Sequence, residues 1–284
     1  LSSNIFASEK LEEIIPQSEI IFVATPSKII NDVLDRLTDF SIDNKMIISC
    51  TKGINENPFM TMSEAIEKHF NNSSIKVGVL SGPNLAKEIA DEKVAGTVIA
   101  SKHADLCHQA REILSSSTFK IYTSDDIKGI ELAGALKNIY AIISGYCHSL
   151  DVGENAIGLI LTRSMAEMSN FAVNKGANPI TFLGLAGMGD LVATCFSKLS
   201  RNYQFGWAIG EGLDIEAAKY KVGQVAEGLN TIRIIHNEIS SSKIKMPLVS
   251  GMHEILFNSG SKELLLEQII NSDIYVDVDF DVES

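Results

Sequence analysis

The pattern of apolar positions predicts one long buried helix near the middle of the chain, from Asp126 to Asp151. Apolar and small side chains dominate this stretch, so it lacks the polar face of a surface helix. In the middle of the stretch, Lys137 interrupts the pattern and is followed at once by Asn138. A buried ammonium group is costly, so Lys137 either extends along its own stem to solvent or has a partner or a chemical task.

Short apolar runs alternate with helical spacing in the first 124 residues. Runs of this length are typical of strands that are buried on both faces of a parallel sheet. The predicted strands cover residues 19–24, 45–50, 76–81, 94–101 and 118–123. The predicted helices cover residues 28–37, which Ser27 can cap, and residues 60–71, 85–92 and 105–114. This alternation predicts an α/β region with a largely parallel sheet.

A polar loop follows each of the first three predicted strands. The loops are Thr-Pro-Ser at 25–27, Thr-Lys-Gly at 51–53 and Ser-Gly-Pro-Asn at 81–84. Ligands of such sheets bind outside the carboxyl ends of the strands, so these loops are candidates for a binding edge. Ordinary turns are the alternative, because loops of this composition are common in any α/β domain.

After Ser124 the pattern predicts helices only. A helix from Glu154 to Lys175 is followed by Gly176, and Asn178-Pro179 opens the next helical segment. Residues 182–195 are rich in small residues and contain a single charge, Asp190. Ser200 and Asp214 are positioned to cap two further helices, and Pro247 begins another. The helix start at Arg201 is either an anion site or an ordinary solvated surface.

Charge and composition argue against several classes of function. The net charge of −12 disfavours nucleic acid as a partner, although local cations can still bind a small anion. No apolar run approaches the roughly 20 residues that span a bilayer. Four scattered cysteines without a CxxC pair, and six histidines without an HxxxH pair, predict no metal site and no disulfide framework. Such cysteine usage suits a reducing compartment, and we expect a cytoplasmic protein.

The glycine-rich phosphate loop of a dinucleotide-binding domain is not found in this sequence. That loop reads G-x-G-x-x-G after the first strand, whereas no glycine precedes Gly53. Glycines 184, 187 and 189 lie in an apolar helical region with no strand before them. If the α/β region is a Rossmann domain, its opening strand, phosphate loop and second strand are missing from this sequence.

Six segments, in this order, resemble bacterial-type NAD(P)-dependent glycerol-3-phosphate dehydrogenase. They are TKG at 51–53, SGPNLAKE at 81–88, GALKN at 134–138, GLAGMGDLVATC at 184–195, SRNYQFG at 200–206 and GQVAEG at 223–228. The resemblance runs from about Ile20 to Leu265. It implies a Rossmann-like parallel sheet domain, residues 1–124, which is a partial dinucleotide-binding domain. An all-α substrate domain of the 6-phosphogluconate-dehydrogenase-like type, residues 125–284 with an acidic tail at 273–284, would follow.

The same resemblance implies reversible hydride transfer between NAD(P)H and dihydroxyacetone phosphate, giving sn-glycerol 3-phosphate for phospholipid synthesis. It implies NAD or NADP as cofactor, no metal, and a homodimer. Lys137 would be the proton donor or acceptor. The implied substrate contacts are Lys52, Gly82, Asn84, Asn138, Asp190, Ser200, Arg201 and Asn202. The implied cofactor contacts are Lys52, Ala86, Arg201, Val225 and Glu227. Asn84 is a departure, because the family usually has Thr or Ser there.

The chemistry of these residues agrees with proton transfer. Burial and a second cation, Lys52, would lower the pKa of Lys137 from about 10.4, while Asp190 would oppose that shift and hold the ammonium group. Two alternatives remain. The Lys137-Asn138 pair also occurs in related dehydrogenases that act on 2-keto or 3-hydroxy acids, and a chain without the phosphate loop could be a non-catalytic fragment that only folds and associates.

Overall fold

A five-stranded sheet organises the first part of the chain. In the computed structural model, which describes residues 4–223, 227–261, 263–270 and 277, the strand order is β1-β2-β3-β4-β5. The strands are β1 (Ile20–Val23), β2 (Met46–Ser49), β3 (Lys76–Ser81), β4 (Ala95–Ser101) and β5 (Phe119–Ser124). Three of the four pairings are parallel, and only β3 and β4 run antiparallel. The carboxyl ends of β1, β2 and β3 therefore share one edge, as predicted.

Helices cover both faces of this sheet. They are α1 (Leu11–Ile14), α2 (Ile30–Leu37), α3 (Met62–His69) and α5 (Ala104–Leu114), while the short α4 (Ala86–Ala90) has no buried residue. Side chains of a strand point alternately to the two faces, so Ile47 packs with Leu34 of α2 while Ile48 packs with Leu106 of α5. All four residues of β2 are buried, and the first three, Met46, Ile47 and Ile48, are apolar.

Ser27 does not cap a helix, contrary to the sequence-based prediction. Residues Ser27–Ile29 form a 3₁₀ turn, and α2 begins only at Ile30. The hydroxyl of Ser27 instead donates to Glu227 Oε2 at 2.9 Å, 200 residues further along the chain. A hydrogen bond to a carboxylate is stronger than one to a neutral acceptor. Only the tertiary structure brings Glu227 next to Ser27.

The predicted central helix is confirmed as α6, Ile127–Ser149. Asp126 caps it by accepting a hydrogen bond from Gly129 N at 2.9 Å, and every residue from 129 to 147 is buried. The later helices are α7 (Glu154–Asn174), α8 (Asp190–Cys195), α9 (Arg201–Gly210), α10 (Ile215–Val222), α11 (Glu227–Ser240), α12 (Pro247–Phe257) and α13 (Leu264–Ile270). Helices α7, α8, α9 and α11 pack directly around α6.

Helices α6 and α9 approach each other so closely that glycine is needed at their crossing. A Cβ on Gly206 of α9 would overlap with the backbone of Ile142, and a Cβ on Gly145 of α6 would overlap with the backbone of Tyr203. This close contact brings the first turn of α9 against the middle of α6.

The predicted helix caps at Ser200, Asp214 and Asn178 are confirmed, since each side chain accepts a backbone N–H of the following turn. The segment after Asn178 is a 3₁₀ turn, and Leu185–Gly189 is a π-helical turn that leads into α8. The predicted acidic tail at 273–284 lies outside the described residues except for Asp277. Within the described part of the chain, no helix is long and apolar enough to cross a membrane.

Candidate functional site

The loops after β1, β2 and β3 meet at one edge of the sheet. Thr51 Oγ1 donates to Thr25 O at 2.7 Å, which joins the first loop to the second. Lys52 Nζ donates to Gly82 O at 2.7 Å, which joins the second loop to the third. Gly53 lies so close to Ser27 that a Cβ there would overlap with the serine side chain.

Two lysines from different parts of the chain share one buried carboxylate at this edge. Lys137 Nζ of α6 lies 2.5 Å from Asp190 Oδ1, and Lys52 Nζ lies 2.7 Å from Asp190 Oδ2. Asp190 is 1% exposed and Lys137 is 6% exposed. The alternative in which Lys137 extends to solvent is therefore wrong, because its ammonium group ends on a buried partner.

Local structure explains how these three groups meet. Asp190 is the first residue of α8 and follows directly on the π-helical turn Leu185–Gly189, within which its own N–H is bonded to Leu185 O and Gly187 O. Gly134 of α6 lies against Ser81 and the stem of Lys52, and a Cβ there would overlap with the Ser81 hydroxyl. The lysine stem thus passes α6 where that helix has no side chain.

The surroundings make Lys137 a weaker base than an ordinary lysine. Burial lowers its pKa most, the nearby Lys52 ammonium lowers it further, and Asp190 opposes both effects, so that the pKa falls to about 8. Each of these directions agrees with the expectation from the sequence. A group with this pKa can give up and take back a proton near neutral pH.

Thr194 is a member of this cluster that the sequence analysis missed. Its Oγ1 accepts a hydrogen bond from Lys137 Nζ at 2.7 Å and donates to Asp190 Oδ1 at 3.2 Å. Thr194 lies four residues after Asp190, the spacing that places two side chains on one helix face. That spacing was the available signal, and only the position of Lys137 shows that it matters.

A second polar cluster adjoins the first through Asn138. Asn202 Nδ2 of α9 donates to Asn138 Oδ1 at 3.0 Å, and Gly228 N of α11 donates to Asn202 Oδ1 at 3.0 Å. Ser200 caps α9, and Arg201 is the exposed first residue of that helix. The structure therefore brings Asn138 together with the start of α9 and the start of α11.

The remaining predicted residues that the structure describes lie in the loop after β3 and at the starts of α4 and α11. Asn84 Nδ2 donates to Thr97 Oγ1 at 2.9 Å, which fixes the loop after β3 to β4. Glu227 accepts from Ser27 and so ties α11 to the loop after β1. Ala86 is the exposed first residue of α4, and Val225 lies outside the described residues.

One group of potential metal ligands lies away from these clusters. Ligand atoms of His236, His253 and Glu254 are within 4.8 Å of one another. The two imidazole rings stack in parallel with centroids 3.7 Å apart, so their in-plane lone pairs do not converge on one ion. The stack packs α11 against α12, and we assign no metal to it.

Comparison with known proteins identifies the family. A family profile described as NAD-dependent glycerol-3-phosphate dehydrogenase N-terminus matches residues 1–107, and the corresponding C-terminus profile matches residues 126–267. A glycerol-3-phosphate dehydrogenase [NAD(P)+] of Pseudomonas syringae pv. tomato is 47% identical over 93% of this chain and 76% of that protein. One of Alcanivorax borkumensis is 44% identical over 99% of this chain and 81% of that protein.

Solved structures agree with the sequence comparison. The crystal structure of glycerol-3-phosphate dehydrogenase from Coxiella burnetii superposes with a TM-score of 0.85 at 32% identity, covering 89% of this chain and 77% of that one. Two ketopantoate or dehydropantoate reductases reach TM-scores of only 0.50 and 0.51 at 14% identity, which indicates a shared fold alone. The chain therefore belongs to the family of NAD-dependent glycerol-3-phosphate dehydrogenases.

Proposed function

We propose that this chain catalyses reversible hydride transfer between NAD(P)H and dihydroxyacetone phosphate, forming sn-glycerol 3-phosphate, with Lys137 as the proton donor and acceptor. One observation carries this proposal. At the carboxyl edge of the sheet, a buried lysine with a pKa of about 8 shares the carboxylate of Asp190 with a second lysine. Family membership supports the choice of substrate and cofactor.

Lys137 supplies the proton that reduction of a ketone requires. The nicotinamide cofactor, when bound, supplies the hydride. Negative charge then develops on the former ketone oxygen, and the protonated ammonium group of Lys137 stabilises this charge before it gives up a proton. In the reverse direction the neutral amine accepts the proton of the substrate hydroxyl.

Asp190 and Thr194 orient Lys137 for this step. The two oxygens of the carboxylate hold the two ammonium groups in a fixed relation, and the Thr194 hydroxyl accepts from Lys137 Nζ as well. With both lysines protonated and Asp190 ionised, the three groups carry one net positive charge. That charge favours an anionic substrate and the charge that develops during reduction.

The start of α9 suits the substrate phosphate. Arg201 presents a planar fork of N–H donors that matches phosphate oxygens, and the first turn of a helix offers further backbone donors. Asn202 links this turn to Asn138, the neighbour of Lys137, so a phosphate held here is at a defined position relative to the proton donor. Gly82, Asn84 and Ser200 complete the proposed substrate contacts.

The residues at the sheet edge fit a nicotinamide cofactor. Thr25 Oγ1, Ser81 Oγ and Asn84 Oδ1 are buried and, among the described residues, have no hydrogen-bond partner. Unpaired buried polar atoms are rare unless a ligand or a water completes them. Lys52, Ala86, Arg201, Val225 and Glu227 are the residues that would hold the cofactor.

Further parts of this proposal concern the whole protein. We assign residues 1–124 to a dinucleotide-binding domain and residues 125–284 to a helical substrate domain. We infer a cytoplasmic homodimer without nucleic-acid partners, which makes glycerol 3-phosphate for phospholipid synthesis. Exposed apolar side chains at Met188, Val192 and Phe196, spaced four residues apart on one face around α8, support association with a second copy. Measurement of the molar mass in solution tests this inference.

A substrate panel tests the proposed reaction. We expect the full-length protein to oxidise NADH or NADPH with dihydroxyacetone phosphate and to leave 2-keto acids such as ketopantoate unreacted. Preference for a keto acid would contradict the substrate assignment. Calorimetry with NADH and with NADPH tests the cofactor assignment separately, because a protein that binds neither has no cofactor-dependent function.

A further inference from the structure

Glu131 is a buried carboxyl group near the proposed site with no role in the mechanism above. It lies on α6, six residues before Lys137, and is 7% exposed. Its Oε1 accepts a hydrogen bond from Ser63 N at 2.9 Å, and its Oε2 accepts one from the Ser63 hydroxyl. Burial raises the pKa of this carboxyl group to about 7. The Thr61 hydroxyl also forms a hydrogen bond with this carboxyl group. A group that is costly to bury and takes its partners from the start of another helix calls for an explanation.

The partner of Glu131 is the first turn of α3. Ser63 is the second residue of that helix, so its N–H has no acceptor within the helix. Helix α3 already has a capping box, in which Thr61 and Glu64 pair with each other's backbone. The additional contact from Glu131 thus joins α3 to α6 and is not needed simply to begin the helix.

Helix α3 follows directly on the segment that carries Lys52. This segment, residues 50–61, leaves the sheet after β2 and packs on the helical part of the molecule. Ile54 is buried in the core around α6, and the Phe59 ring contacts Phe171 of α7 edge-on at 6.0 Å. The segment is held at its start by Thr51 and at its end by the contact between Ser63 and Glu131.

We propose that Glu131 is a positioning residue for hydride transfer: by anchoring the start of α3 on α6, it holds the 50–61 segment so that Lys52 reaches both Asp190 and Gly82. This inference rests on the proposed function. One rigid helix carries the anchor at Glu131, the gap for the lysine stem at Gly134 and the proton donor at Lys137. The anchor of the 50–61 segment and the proton donor therefore belong to the same helix, while Asp190 binds both ammonium groups.

Glu167 provides a matched control within the same chain. It is also a buried glutamate whose pKa is raised by burial, to about 8, and it also accepts from the first turn of another helix. Its Oε1 accepts from Leu248 N of α12 at 2.7 Å, and its Oε2 accepts from the Tyr140 hydroxyl at 3.0 Å. Substitution of Glu167 thus removes a comparable buried cap without touching the 50–61 segment.

The experiment compares Glu131→Gln, Glu131→Ala and Ser63→Ala with Glu167→Gln and Glu167→Ala in the full-length protein. Thermal melts, kinetics with NADH and dihydroxyacetone phosphate over a range of pH, and hydrogen exchange of residues 50–61 are measured. We expect Glu131→Ala to lower kcat/KM by about a hundredfold, mainly through KM for dihydroxyacetone phosphate. We expect Glu131→Gln to be milder, because its amide oxygen still accepts from Ser63 N.

The pH profile gives a readout that a merely structural role would not change. Lys137 faces Lys52, Asp190 and Cys195, and the Lys52 charge lowers its pKa. If Lys52 moves away in the Glu131 variants, the pKa of Lys137 rises and the break in the profile shifts to higher pH. We expect the Glu167 variants to melt at a lower temperature than the wild-type protein. We expect them to keep its KM for dihydroxyacetone phosphate and the pH at which its rate profile breaks.

Equal KM values and equal pH breaks in the two sets of variants would overturn the inference. If Glu131→Ala does not fold, Glu131→Gln and Ser63→Ala give the same comparison. Hydrogen exchange separates this inference from the proposed function. Faster exchange in residues 50–61 in the Glu131 variants alone supports the anchor, whichever substrate the protein reduces. Unchanged exchange there contradicts the anchor even if the wild-type protein is active.

Discussion

Helices α6 and α7 have nearly the same length, 23 and 21 residues, but they are buried in different ways. α6 is enclosed on all sides, and its residues from 129 to 147 are buried without exception. α7 buries one face, with side chains spaced three or four residues apart, and it exposes Leu159 on the other; the buried side chains include Ile157, Ile160, Ser164, Met168 and Phe171.

The difference shows why the proposed chemistry is carried by α6. A polar side chain on α7 can turn to water, whereas one on α6 needs a partner within the protein. The partners are residues of other elements: Glu131 binds Ser63, Lys137 binds Asp190, and Asn138 binds Asn202. Each of these three residues therefore joins α6 to another element. Glu167, the one buried carboxylate of α7, follows the same rule with Tyr140 and Leu248.

Replacement of the buried lysine of α6 and of the single arginine of α7 gives the largest expected contrast. Lys137→Ala removes the proposed proton donor and is expected to lower kcat by about 10²- to 10⁴-fold. Asp190 keeps Lys52 and Thr194 as partners, so the melting temperature is expected to fall little. Arg163→Ala on α7 removes a contact with Asp277 and is expected to leave kcat unchanged. Steady-state kinetics and thermal melts of both variants check this, and near-normal turnover by Lys137→Ala would refute its role.

Glycine-to-alanine changes test the same comparison through stability. A Cβ at Gly145 of α6 would overlap with the Tyr203 backbone, so we expect Gly145→Ala to cost about 3 kcal/mol or more of unfolding free energy. A Cβ at Gly158 of α7 meets no atom within 4 Å of the described structure. Gly158→Ala is therefore expected to stabilise the protein by roughly 0.5–1 kcal/mol through helix propensity. Denaturant titrations measure both, and equal effects would show that α6 and α9 are not packed as described.

Substitution of Arg201 tests whether the close contact between α6 and α9 places a phosphate site near Lys137. If α9 presents a phosphate site at a set distance from Lys137, Arg201→Ala should raise KM for dihydroxyacetone phosphate or for the cofactor by about tenfold or more, with a smaller effect on kcat. Arg201→Lys keeps the charge but loses the planar fork, so we expect only partial recovery. Unchanged KM values for both ligands would rule out a binding role for this residue.

The smallest expected effect is a shift in the pH dependence of the rate. Because Lys137 donates when protonated, kcat/KM for ketone reduction should be level below a pH of about 8 and fall above it. Oxidation of glycerol 3-phosphate needs the neutral amine and should rise through the same pH. Asp190 raises the pKa of Lys137, so Asp190→Asn should move the break to lower pH. A break that stays in place would mean that another group limits the rate.

Several features were predictable from local sequence because local forces produce them. The alternation of buried strands and helices, the length of α6, and the caps at Ser200 and Asp214 follow from side-chain periodicity and from backbone N–H groups that need acceptors. The sharing of one edge by the loops after β1, β2 and β3 follows from the rule for parallel strands.

Other features depended on contacts between distant residues. The sequence pattern suggested that Ser27 caps a local helix, but its hydroxyl donates to Glu227 on α11. Thr194 carried no sequence signal beyond its spacing from Asp190, and its importance comes from the position of Lys137. Nothing in the local pattern around Glu131 indicated that Ser63 would be its partner.

The sequence by itself determined the order of elements, the family and the identity of the central helix, since these depend on periodicity and on motifs read along the chain. Only the tertiary structure decided that Lys137 is a buried, paired lysine with a lowered pKa and does not reach solvent along its stem. The physical reason is that the free energy of an ammonium group depends on its surroundings. Here those surroundings, Asp190, Thr194 and Lys52, come from segments that are 53, 57 and 85 residues away from Lys137 in the sequence.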